Sequence, residues 1–119
     1  MAKMTKLGRD RMGAYFESFT KRFLQDDSPE AVDVEVLAPD WGDQYAARGA
    51  QLYGVTYDHG SDALEFAVES GTHRIYHPGE VWIIEESDGF IGTIEVERPD
   101  RTREIITVKR VGIQTSDQP

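Results

Sequence analysis

The sequence predicts an α+β fold in which one amphipathic helix near the amino terminus packs on an antiparallel β-meander of about seven strands. Three observations carry that expectation. Aromatic residues recur at helical spacing early in the chain; apolar and charged residues then alternate with period two; the breaks between alternating runs are short and rich in Gly, Pro and Asp.

The helix is read over about residues 9–24. Met12, Phe16, Phe19 and Phe23 stand at i, i+4, i+7 and i+11 and fall on one stripe, with Tyr15 at its margin. Asp10 is placed to cap the start, and Pro29 supplies a stop by disfavouring helical geometry at Ser28. Burying such side chains is worth roughly 1.5–3 kcal/mol each, so the stripe must dock on something apolar.

The docking surface is written with period two. Val32, Val34 and Val36 alternate with Asp33 and Glu35; Leu64, Phe66 and Val68 alternate with Glu65 and Glu69; Phe90, Ile94 and Val96 alternate with Thr93, Glu95 and Glu97. Further strands are read at QLYGVTY, THRIYH, EVWIIEE and REIITVKR, the last two less clearly alternating. Gly60 in YDHGSD is a candidate for positive φ, Asp88-Gly89 is a hairpin signal, and Pro99 starts a turn in RPDRT. Links this short join antiparallel neighbours, so an up-and-down meander is expected from Leu52 onward. Numerous short strands tend to curl, which predicts partial closure into a barrel with the helix against its open side. APDWGDQ reads as a turn with Trp41 packed over it. Residues 1–111 are taken as a single domain and 112–119 as a disordered polar tail.

The chain has 119 residues, no cysteine and a formal charge of −9. Disulfides, thiolate metal sites and cysteine nucleophiles are thereby excluded. Residues 1–22 carry six cations against Asp10 and Glu17, so the remainder is strongly acidic. Such a surface repels phosphate backbones and anionic lipid, and neither nucleic acid nor membrane is an expected partner. The basic opening lacks the apolar run of a signal peptide, and no window approaches a spanning helix, so a cytoplasmic protein is expected.

His73 and His77 raise the question of a shared site. On a helix their spacing would set both imidazoles over one metal, whereas on a strand it separates the Cα atoms by about 13 Å. Followed by Pro78 and Gly79, His77 reads as a strand end, and His59 as a turn residue. No metal site or cofactor is expected. Paired acids such as Glu85 with Glu86 alternate outward with apolar neighbours, as on a solvated sheet face, and no nucleophile elbow or phosphate loop is present. Trp82 and Ile84 share one face of a strand whose other face carries Val81 and Ile83. Either that strand is central and covered on both sides by helix and sheet, or another chain covers one side.

In their order along the chain, AYFESF, VDVEVLAPDWGDQ, LYGVTYD and HRIYHP resemble a family of small uncharacterised bacterial proteins. There an aromatic-rich helix precedes a Val-x-Val-Glu-Val-Leu strand, a Leu-x-Gly-Val-x-Tyr-Asp strand, a His-x-Ile-x-His-Pro segment and an acidic strand with a glycine turn. The resemblance covers roughly residues 12–110. It implies a bacterial cytosolic origin, carries over no catalytic residue, and places His73, Ile75 and His77 in a recurring pattern.

Two functions fit these residues. The first is a small non-catalytic binding or assembly module that presents an acidic sheet face and an apolar patch around Trp82 to a protein partner or to its own copy, as in a homodimer. The second is a small-ligand binder or enzyme with a pocket at the helix–sheet junction lined by Tyr53, Tyr57, His73, His77 and Trp82, a histidine serving as acid–base group.

Overall fold

The computed structural model describes residues 3–24, 30–40 and 42–110. Among these, the chain forms β1 (Lys3–Leu7), α1 (Arg9–Phe19) with a π-helical turn (Thr20–Leu24), β2 (Glu30–Ala38), β3 (Gly42–Asp58), β4 (Ala63–Val68), β5 (Gly71–Tyr76), β6 (Glu80–Glu85), β7 (Ile91–Glu97) and β8 (Arg103–Arg110). The expected helix stop at Ser28 and Pro29, the packing of Trp41, and the tail at 112–119 lie outside the described residues.

All eight strands join one antiparallel sheet in the order β1-β6-β7-β8-β2-β3-β4-β5. The expected meander is therefore interrupted. β5 does not pair with β6, because the opening segment KMTKL forms an extra strand that takes that place. Only residues 77–79 separate β5 from β6, although the two are six positions apart in the sheet. Six spacings of a flat sheet would measure about 29 Å, while the link spans at most about 15 Å. The sheet must curl, and it does so without closing into a barrel: β1 and β5 remain its two edges.

β3 makes the corner. Its first part pairs with β2 from Gly42 to Leu52, and its last part pairs with β4 from Leu52 to Asp58, with a register shift between Leu52 and Gly54. Such shifts bend a strand and increase its twist. The chain is thus folded into a larger leaf (β1, β6, β7, β8, β2 and the start of β3) and a smaller one (the end of β3, β4 and β5).

The helix fills the space between them. Met12, Phe16 and Phe19 are fully buried, and Phe23 packs half-buried at the end of the stripe. Tyr15 donates a short hydrogen bond to Glu85 of β6. On the other side, the Thr20 hydroxyl accepts from the Val55 backbone N–H and donates to the Val55 carbonyl, both at 3.0 Å. Thr20 thereby stands in for a strand partner where β3 has run past the end of β2. At the helix start the sequence expectation needs correcting: Gly8 is the N-cap without a side-chain bond, and Asp10 lies inside the first turn. In the β3–β4 turn the positive φ falls on Asp62 rather than Gly60.

Candidate functional site

Inward-facing residues on the larger leaf are mainly apolar, with buried carboxylates at Glu30 on β2 and Glu104 on β8. The register sets Leu7, Val81, Val96, Glu104 and Val36 side by side across five strands, and Glu104 is 2% exposed. An ionised carboxylate in such a row is tolerable only if paired. His73, reaching from edge strand β5, places Nε2 2.7 Å from Glu104 Oε1, and Arg98 from the β7–β8 turn donates to Oε2 at 3.0 Å. Both partners reach the surface. His73 lines a cavity of about 170 Å³ with Val68, Ser70 and Thr72. Arg98 lines another of about 300 Å³ with Asp40, Asp100 and Thr102. The cluster clasps the smaller leaf to the larger, and chemically it is a histidine oriented by a buried carboxylate.

A second polar cluster centres on Asp62. Its carboxylate takes Arg9 Nε at 2.9 Å, His77 Nδ1 at 3.1 Å and a short hydrogen bond from the Tyr57 hydroxyl. The Tyr57 bond foremost, then those from His77 and Arg9, hold Asp62 below the usual carboxylate range. Burial, with Asp62 adding to it, pushes the Tyr57 phenol up. Asp62 and His77 both adopt φ of +53°, and the His77 N–H donates to the Asp62 carbonyl at 2.7 Å. Two left-handed residues, of types that tolerate this conformation, close the open end of the β4–β5 ladder and anchor the first turn of α1 through Arg9.

The third feature lies outside. On β6, Val81 and Ile83 point into the core while Trp82 and Ile84 face outward, half-buried. Of the coverings expected for this strand, the helix is present on the inner side, while no second layer of this chain covers the outer side among the described residues. Trp82 borders a groove of about 360 Å³ with Met4, Glu95, Glu97 and Arg103, and Lys6 lies 5.9 Å from its ring. Met4 is 55% exposed. Glu95 and Arg103 form an ion pair, as do Lys6 and Glu80 at 3.3 Å.

The five residues expected to share a pocket therefore lie apart. Tyr57 and His77 meet at Asp62; His73 turns inward to Glu104; Trp82 faces outward on the larger leaf; Tyr53 is half exposed on β3. The two histidines bind different carboxylates, and among the described residues no group of three or more His, Asp or Glu could hold a metal ion. No described helix is long and apolar enough to cross a membrane. Glu104, Arg98, Asp62 and Arg9 were not singled out from the sequence. Glu104 could have been, because in REIITVKR it has the parity of the buried Ile106 and Val108; the partners of Asp62 are brought together only by the fold.

Residues 3–114 match a family described as a family of unknown function, DUF5335. An uncharacterized protein of Aquifex aeolicus (strain VF5) is 34% identical over 102 residues, covering 85% of this chain and 87% of the relative. No solved structure matches the chain at comparable stringency.

Proposed function

Since the chain belongs to DUF5335, a family whose description names no activity, we propose a role from its own surface: a small binding or assembly module that meets a protein partner through the outer face of the larger leaf. The observation that supports this is the open outer side of β6, where Trp82 and Ile84 stand beside the exposed Met4 on a strand whose inner side is already core. Apolar side chains grouped on an open sheet face, rimmed by charge, are the usual composition of a protein contact. The partner is a different protein or a second copy, in a bacterial cytoplasm. The role is tested by capture from the source cell with wild type, Trp82→Ala and Tyr76→Ala, the last lying on the smaller leaf. Loss of a captured protein with Trp82→Ala alone is expected; retention by Trp82→Ala with loss by Tyr76→Ala would move the contact elsewhere.

A second reading is favoured by the His73–Glu104 pair beside its cavity. A small ligand there would accept or donate through the His73 ring, as in acid–base sites where a carboxylate fixes the imidazole. It predicts that His73→Gln abolishes function while Trp82→Ala does not.

A further inference from the structure

The register of the outer face specifies more than apolarity. Trp82, Glu95, Ile105, Glu35 and Tyr45 are direct cross-strand partners on β6, β7, β8, β2 and β3, so they form one line running across the strands. Apolar and acidic residues alternate along it. With strands about 4.8 Å apart, the apolar members recur every ~9.6 Å and the acids fall midway between them.

That spacing selects a ligand geometry. On an α-helix, residues i, i+3 or i+4, and i+7 face one way and lie about 5 and 10.5 Å along the axis, in step with the line over its whole length to within about 2 Å. An extended strand repeats on one face every ~6.7 Å, so its first step falls between Glu95 and Ile105 and it misses the central apolar contact.

Charge supplies the rest. Glu95 already has Arg103. Glu35 instead meets Asp43, diagonal to it on β3, whose hydrogen bond, with burial and the Asp43 charge adding to it, holds the Glu35 carboxyl above its ordinary value. Neither acid forms an ion pair among the described residues; the nearby guanidinium of Arg48 lies over the Tyr45 ring, 4.5 Å from its centroid. Two adjacent carboxyls at the acidic position of the line call for a cation from outside.

We propose that this face seats a basic amphipathic helix of another protein, lying across β6 to β3 with apolar residues at i, i+7 and i+14 and Lys or Arg between them. This rests on the outer face being the contact surface. A second copy does not supply such a helix, because the apolar stripe of α1 is buried in its own core.

The test uses two synthetic peptides of identical Leu and Lys content, one patterned for a helix and one strictly alternating, titrated into the labelled full chain by NMR and calorimetry. The helical peptide is expected to shift Trp82, Ile105 and Tyr45 together, with affinity reduced at least tenfold by Glu35→Gln with Asp43→Asn. Glu17→Gln with Glu86→Gln, an equal charge change away from the line, is expected to leave affinity within twofold. If both double variants weaken binding equally, the attraction is non-specific and the proposal fails. If the alternating peptide binds the same three residues as tightly, the face is a contact surface but not one for a helix. If neither peptide touches them and Trp82→Ala also retains every captured protein, the proposed function falls as well. Amide spectra of the variants that overlay on wild type away from the substituted positions certify their folds.

Discussion

Glu104 sits in an apolar row, and its two partners approach from different elements, so its removal should read out as stability. Glu104→Ala strips Arg98 and His73 of their acceptor and leaves a void; a loss of about 1–3 kcal/mol in urea denaturation is expected, moderated because both partners reach water. Glu104→Met, which fills the row with apolar volume, should be the milder change. Equal losses for Met and Ala would show that the charge rather than the packing holds the leaves together. Carboxylates elsewhere set the acid response. Asp33, bonded by Lys109 and the Gly49 N–H, Asp62, bonded by Tyr57, and Asp88, bonded by Arg110, are all depressed in the folded state. The unfolded chain then binds protons first as pH falls, so their stabilisation is full above about pH 4 and is lost on acidification below it. Glu35 has the opposite sign: its raised value makes the folded state the better proton binder, and stability falls as pH rises through that group's range. Thermal melts of Glu35→Gln should therefore lack that decline. Of these residues the outward parity of Asp33 and Glu35 was read from the sequence and the inward parity of Glu104 was there to be read, whereas carboxylate partners distant in the chain leave no local trace.

At the scale of elements, the helix was legible because four apolar residues repeat at its own period, and β4 because every second residue is buried. β1 was not, being five residues with lysines on both faces. The first half of β3 was hidden for a different reason: GDQYAARGA is exposed along most of its length, has positive φ at Gly42 and Gly49, and slips register twice against β2, which erases alternation. Bulges of this kind blunt a free strand edge. The join between helix and β3 depends on Thr20, and Thr20→Val keeps its shape while leaving the Val55 N–H and carbonyl without that partner. A loss of about 1–3 kcal/mol is expected by denaturant titration, with faster amide exchange at Val55. The β5–β6 link offers a sharper case. A Cβ at Gly79 would lie 2.5 Å from the Glu97 carbonyl oxygen, which is backbone and cannot swing away. Gly79→Ala should therefore lower the melting temperature, whereas a neutral result would mean that the link is loosely held.

For the whole molecule, the α+β class and the helix-on-sheet arrangement followed from pattern, but the order of strands did not. Short links suggested one continuous meander; the three-residue link after β5 instead crosses between leaves, which only a curled sheet permits. That curl gives the chain an inside end marked by His73 and Glu104 and an outside marked by Trp82, Ile105 and Tyr45. Binding on the outside leaves the clasp as architecture, and binding at the inside end would reverse those roles. The deciding measurement is the affinity of a captured partner for three chains by calorimetry: wild type, Trp82→Ala and His73→Gln. A loss of tenfold or more with Trp82→Ala and little change with His73→Gln is expected once both are shown to be folded; the converse pattern would move binding to the inside end.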